Sequence, residues 1–287
     1  MKLLIEPSNK NYLYQNIVSG LILSLKDYSV QSPIYFSIEE IKTIIKENPS
    51  LEIFININKN LSNDDINPLK EILKELDALN IKGIFFYDIA LIQLKKELQL
   101  KTDLVWNQTH MVNNYKTCNY YYEKGVKYAL LGKEITLEEI LEIIKQSKIT
   151  SMVEVLSYPS VAFSKRKLIT NYYKDLNKQS KSTLSVLEKV TSSVYELTED
   201  ENGTSFFLKD LINGTSIIKE LNDAKSEYII MRGYGIEDNL FKEILEDTKE
   251  YIFNDCKDTN YIEKYKSLGT NTNFFYKKTI YQVKKNG

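Results

Sequence analysis

The chain is poor in the residues that most often carry chemistry. Its 287 residues include two cysteines, one histidine and one tryptophan. Two cysteines, Cys118 and Cys256, exclude a disulfide framework and a metal cage built of thiolates. A single histidine, His110, excludes a zinc site of the usual composition. Arginine is scarce as well: Arg166 and Arg232 stand against a background of lysine. In such a chain an arginine is expected where its planar fork matters and an ammonium does not suffice. No apolar run approaches the roughly 18 residues of a membrane span. The start, MKLLIEPSNKNYLY, lacks the apolar core of a signal peptide. A cytoplasmic protein with no membrane segment is the expectation. The formal net charge of -1 excludes a global basic field, which lowers the case for a dedicated nucleic-acid binder but permits a local basic surface.

What is present is alternation. Strand candidates fall at 2–7, 21–25, 51–58, 81–88, 102–108, 127–133, 150–157 and 226–233. Helical patterns lie between most of them. Residues 12–19 are read as a first helix. Ser37 with Glu40, and Thr136 with Glu139, have capping-box spacing and mark two later helix starts. Leu69, Ile72, Leu73, Leu76 and Leu79 line one face of another helix. The helix after the fifth strand begins near Asn113 or Asn114 and stops at Gly125. One more runs through 216–224, and the last from about 237 to 253.

Eight strands alternating with helices on short connections predict an α/β fold, a (β/α)8 TIM-type barrel over 1–256. An open doubly wound sheet permits the same alternation, but no glycine-rich dinucleotide loop follows the first strand. Between the seventh and eighth strands a long insertion, 158–215, is expected at the C-terminal face, where barrels keep their active sites. Within it, SSVYELTEDENGTSFFL reads as a β-hairpin turning at Asn202-Gly203. The Asn-Gly-Thr triplets at Asn202 and Asn213 are read as turns. A C-terminal extension, 257–287, ends in FFYKKTIYQVKK, read as a strand packed on the barrel.

The rare residues crowd into LVWNQTHMVNNYKTCNYYY at 104–122. Trp106 lies inside a strand and belongs to the core, and Cys118 sits mid-helix, where a buried inert thiol is the default. His110 could be a general base, but no partner carboxylate can be assigned from sequence. The better candidates are the amides Asn107 and Gln108, which the fifth strand delivers to the barrel mouth, and Asn56 at the end of the third strand. Amides there both donate and accept; the alternative is that they satisfy loop backbone. Glu134, after the sixth strand, could meet a substrate or cap the next helix. Arg166 lies in the basic run Lys165-Arg166-Lys167, near Asn171 and Tyr172, on the long insertion, and is read either as an anion site or as a solvated loop charge. Arg232 ends the eighth strand and faces the same mouth, or forms a salt bridge there.

WNQTHMVNNYKTCNYYYEKGVKYALLGKEITLEEI, FSKRKLITNYY and TEDENGT with the following KDL, taken together and in order, resemble the collagenase-like peptidases, peptidase family U32. Within the family the chain is similar to short subunits of low-GC bacteria. The resemblance implies a role in prephenate-dependent 5-hydroxylation of the tRNA wobble uridine beside a longer paralogous subunit. Prephenate is then a candidate co-substrate, with tRNA and the paralogue as partners; a dicarboxylate would suit Arg166. Many family members hold an iron–sulfur cluster on four cysteines. Ser160 and Lys167 stand where the first two would be, so no cluster is expected here. The His-Gly common at the end of the seventh strand is Leu156-Ser157. On the eighth strand, a family Lys and an acid are replaced by Ile230 and Arg232. Three functions compete: an RNA-hydroxylation subunit, which is favoured; a collagenase-like peptidase; and a non-catalytic barrel scaffold. Catalytic residues are not assignable from the sequence, and no metal ligands are predicted.

Overall fold

The computed structural model describes residues 1–277 except positions 12, 109, 270 and 273. In chain order the strands begin with β1 (Lys2–Glu6), β2 (Gly20–Ser24), β3 (Glu52–Ile57), β4 (Gly83–Phe86), β5 (Asp103–Trp106), β6 (Tyr128–Leu130) and β7 (Thr150–Ser157). The insertion adds β8 (Ser160–Ser164), β9 (Thr183–Leu187), β10 (Val194–Asp200) and β11 (Gly203–Leu208). The short β12 (Ile212–Asn213) and then β13 (Tyr228–Arg232) return the chain to the main sheet. β1 to β7 run parallel in sequence order, and β13 pairs in parallel with both β7 and β1. The sheet closes into an eight-stranded parallel barrel.

Helices cover its outside: α1 (Ile38–Glu47), α2 (Asn63–Ala78), α3 (Ala90–Leu98), α4 (Tyr115–Glu123), α5 (Leu137–Gln146), α6 (Leu168–Asp175, in the insertion), α7 (Ile218–Asp223), α8 (Asp238–Phe253) and α9 (Thr259–Tyr265). The capping boxes of Ser37 with Glu40 and Thr136 with Glu139 are both formed, and Asn114 caps α4 through the Thr117 amide. Leu69, Leu73 and Leu76 of α2 are fully buried against the sheet, each contributing about 2 kcal/mol.

Strands buried on both faces explain the near-continuous apolar runs. One face packs against the helices. The other fills the barrel with Leu4, Ile22, Phe54, Phe85, Tyr128 and Tyr228, among others. Phe54 meets Phe85, Tyr128 and Tyr228 edge to face at 5.7, 6.0 and 5.8 Å. Gly20 is required where β2 meets β3, because a Cβ there would lie 2.2 Å from the Glu52 carbonyl oxygen.

The structure corrects four sequence readings. Residues 13–19 form a turn instead of a helix: Tyr14 takes a left-handed φ of 50°, and the amides of Ile17 and Val18 bond its carbonyl. Its ring packs edge-on against Phe241 of α8 at 5.6 Å, so one turn suffices to cover that side of the barrel. Asn171 and Tyr172, read as part of a long loop, lie in the helix α6, and β8 and β9 extend the expected hairpin to a four-stranded antiparallel sheet in the order β8-β11-β10-β9. Asn213 is not in a turn: it is buried in β12, and its amide donates to the Tyr265 carbonyl at 2.7 Å, tying α9 to the barrel. In the C-terminal segment read as a strand, residues 274–276 form a turn, and 278–287 lie outside the described residues.

The hairpin turns over Glu201 and Asn202, with Asp200 opposite Gly203. Gly203, at φ 144°, packs so closely on β8 that a Cβ would lie 2.0 Å from the Ser164 carbonyl oxygen.

Candidate functional site

A strand turns every second side chain inward. Two positions beyond the barrel-filling Leu4, Ile22, Phe54, Met152 and Ile230 come Glu6, Ser24, Asn56, Glu154 and Arg232. Apolar residues thus fill the barrel's middle, and polar ones form the floor of its mouth. Glu6 and Arg232 are direct register partners on β1 and β13. A one-residue bulge between β13 and β7 opposite Ile230 and Met231 precedes Arg232.

Arg232 is the centre of this floor. Its Nε donates to Glu154 Oε2 at 2.6 Å, and its Nη1 donates to Glu6 Oε2. Lys133, just beyond β6, pairs with the other Glu154 oxygen at 2.5 Å. Ser157 Oγ also donates to Glu154. Glu6 accepts from Ser24 Oγ at 3.0 Å and Ser32 Oγ at 2.9 Å, and Asn56 Nδ2 donates to Ser24 Oγ at 3.1 Å. The side chains of Glu6 and Glu154 are only 4% and 2% exposed, so their charges depend on these partners. Burial lowers the pKa of Arg232 to about 10, which leaves it charged at neutral pH. Two cations face two carboxylates, and the floor has no formal net charge.

Above the floor lies a cavity of about 270 Å³. Asn56, Asn58 and Asn107 supply amides to its lining, and Tyr87, Tyr158 and Tyr234 supply aromatic walls. The insertion roofs it with Ser160 to Phe163 of β8 and with Phe207. The roof is held by stacking of Phe207 on Tyr234 at 4.3 Å, by Tyr234 Oη donating to Glu196 at 2.8 Å, and by Tyr35 Oη donating to Asp200 at 2.9 Å. Burial, reinforced by the Glu196 carboxylate, raises the pKa of the Tyr234 phenol and keeps it a donor. Asn56 Oδ1 and Ser160 Oγ are buried in the lining without a protein hydrogen-bond partner. They are polar groups that an occupant of the cavity could satisfy.

Of the residues singled out from sequence, Asn56, Asn107 and Arg232 line this cavity. Gln108 lies outside it and braces the wall instead: it accepts from Trp106 Nε1 at 2.9 Å and donates to the Tyr87 carbonyl at 2.7 Å. Glu134 is exposed outside the lining, with its carboxylate 3.4 Å from Nδ1 of His110, which does line the cavity. Arg166, Asn171 and Tyr172 are exposed on the outer side of the insertion. Trp106 is fully buried and stacks on Tyr121 at 3.9 Å. The Cys118 and Cys256 thiols are buried, and burial raises each to about 11.

Sequence reasoning missed Glu6, Lys133 and Glu154. For Glu154 a signal existed: a carboxylate inside the apolar run TSMVEVLS is rarely buried unless paired. Of the two residues that the resemblance set against cluster ligands, Ser160 lines the cavity, and Lys167 donates through its ammonium to the Asp200 carbonyl. A hydroxyl and an ammonium do not replace thiolates. Among the described residues no group of three or more His, Cys, Asp or Glu side chains could hold a metal ion.

Comparison with known proteins adds the following. A model of peptidase family U32 matches residues 7–282. The chain is 25% identical to tRNA hydroxylation protein P2 of Bacillus subtilis (strain 168), over 98% of this chain and 99% of that one. It is 22% identical to tRNA hydroxylation protein P1 of the same organism, over 48% of this chain and 33% of that one. Among solved structures it is similar to a U32 peptidase, at TM-score 0.45 and 14% identity over 61% of this chain and 75% of that one. It is also similar to a 3-hexulose-6-phosphate synthase, at TM-score 0.46 and 10% identity over 86% and 98%.

Proposed function

The chain belongs to peptidase family U32, and from that premise we propose that it is a subunit of tRNA hydroxylation, acting in the cytoplasm on the wobble uridine. The observation that carries this reading is the match to tRNA hydroxylation protein P2, which covers 98% of this chain and 99% of that one. The partial match to protein P1 supports a longer, paralogous partner subunit. No helix among the described residues is long and apolar enough to cross a membrane.

The cavity chemistry supports this reading over the peptidase one. A peptidase of the covalent type needs a nucleophile beside a base. Both thiols here are buried and far from their ionised state at neutral pH. The mouth instead offers amides, aromatic walls and a charge-balanced floor, a lining suited to orienting a polar organic molecule. Prephenate is the co-substrate we assign to it. Arg232 spends Nε and Nη1 on the two carboxylates, and its remaining N–H groups are available to one carboxylate of such an acid. The test is mass spectrometry of tRNA nucleosides from a strain lacking this gene. Loss of the 5-hydroxylated wobble uridine supports the assignment, and an unchanged nucleoside profile overturns it.

A further inference from the structure

The segment from 165 to 181 carries six cations, Lys165, Arg166, Lys167, Lys174, Lys178 and Lys181, against one carboxylate, Asp175. That is a local charge of +5 in a chain whose net charge is -1. All six are exposed. Elsewhere lysines of the barrel helices are paired with carboxylates, as in Lys42 with Glu75, Lys70 with Glu97 and Lys264 with Asp247. Among the described residues none of the six forms an ion pair. Lys165 and Lys167 donate only to the backbone carbonyls of Asn60 and Asp200.

Two carboxylates of the neighbouring hairpin, Glu199 and Asp200, are engaged by other groups. Glu199 accepts from the amides of Ile169 and Thr170 at 2.8 and 3.2 Å, capping the first turn of α6 and fixing the helix to the hairpin. Asp200 accepts from Tyr35. Burial alone would raise the Glu199 carboxyl, but the Thr170 and Thr204 hydroxyls and these amides outweigh it and hold the pKa below the usual range. The cations therefore flank a braced helix, with Lys174 on it and the other five on either side, and among the described residues none is neutralised by an ion pair. Tyr172, 50% exposed, adds a ring beside Asn171 in the same segment. The basic segment starts at the rim of the cavity: Ser160 to Phe163 line it, and Lys165 reaches Asn60, another lining residue.

The geometry points to this arm of the insertion, from Lys165 through α6 to Lys181, as a phosphate-tracking surface that holds RNA so that one nucleotide reaches the adjacent cavity. The inference rests on the tRNA reading above and adds which face of the chain meets the nucleic acid. Exposed lysines without ion-pair partners gain counterion-release free energy from a polyanion, and an exposed ring offers a stacking platform to an unpaired base.

The test is binding of an unmodified tRNA transcript with a wobble uridine, measured over a range of salt concentrations for the full chain, alone and with its longer paralogue. The arm variant is K174Q/K178Q/K181Q. The control is K42Q/K70Q/K264Q, which removes the same charge from ion-paired lysines of the barrel. Trp106 emission checks that both are folded. The arm variant is expected to bind at least tenfold more weakly at low salt. Its log–log salt slope is expected to fall by roughly 2–3, at about 0.7–0.9 unit per lost phosphate contact, while the control keeps the wild-type slope. Equal slopes for arm variant and wild type overturn the surface and leave the tRNA reading standing. An arm variant that loses the paralogue but keeps its tRNA affinity also overturns it, making the arm a protein-docking face. A wild-type chain that binds no tRNA, alone or with the paralogue, overturns both.

Discussion

Replacing Arg232 with methionine probes the floor of the mouth most sharply. The change keeps an unbranched side chain but removes the cation that Glu6 and Glu154 share. Glu154 retains Lys133 and Ser157. Glu6 is left with two hydroxyls, Ser24 and Ser32, and no cation among its hydrogen-bond partners. Removing one partner of a buried ion pair costs about 3–5 kcal/mol. For a chain of this size each kcal/mol moves the unfolding midpoint by about 2–4 °C, so a drop of roughly 10 °C at pH 7 is expected. Trp106, the only tryptophan and fully buried, reports the transition by fluorescence. The sign of the pH dependence follows from burial. A carboxyl stranded in the interior without a cation has a folded-state pKa above its unfolded value. The stability of the variant relative to wild type is then highest below the unfolded pKa and falls as pH rises through the folded one. The deficit should shrink as pH is lowered from 7 to 5, and the double variant E6Q/R232M should recover much of it at pH 7. A deficit under about 1 kcal/mol at pH 7, or one equal at both pH values, would refute the reasoning.

Two further predictions concern groups away from the mouth. Asp65 caps α2: burial alone would raise its carboxyl, but the Ser62 amide and hydroxyl and the Lys59 ammonium outweigh this and hold it at about 2. A depressed folded-state pKa stabilises above the unfolded value, so Asp65→Asn should cost about 2 kcal/mol at pH 7. The difference from wild type should fade as pH drops toward 2, in acid titrations of both proteins followed by Trp106 emission. Both thiols, raised to about 11 by burial, should resist alkylation at pH 8 in the native chain and react within minutes in denaturant. Rapid native labelling of Cys118 would contradict its placement in the core.

The barrel was legible in the sequence because parallel strands buried on both faces leave unbroken apolar runs, and the capping boxes at Ser37 and Thr136 mark where helices begin. The failures have local causes. At 13–19 the left-handed Tyr14 and its packing on Phe241 replaced a helix, and no local pattern announces a long-range ring contact. In the insertion, Glu199 stabilises α6 from 30 residues away along the chain. The candidates that reach the cavity are those whose place strand position alone decides. Asn56 and Arg232 end strands and Asn107 directly follows one, and all three line the cavity. Gln108, one residue further along, turns the other way to hold Trp106. The apolar run around Glu154 signals a paired carboxylate, but its partner and that of Glu6 are not legible locally, because Arg232 meets both across strands distant in sequence.

The central claim is that this chain serves tRNA hydroxylation, and the nucleosides of the tRNA pool test it most directly. Digested tRNA from a strain lacking the gene, and from the same strain with the gene restored, would be compared by mass spectrometry for 5-hydroxyuridine and its derivatives. The account predicts that these nucleosides disappear on deletion, with unmodified uridine in their place, and return on restoration. The same amount of 5-hydroxylated uridine in the deletion strain as in its parent would contradict it.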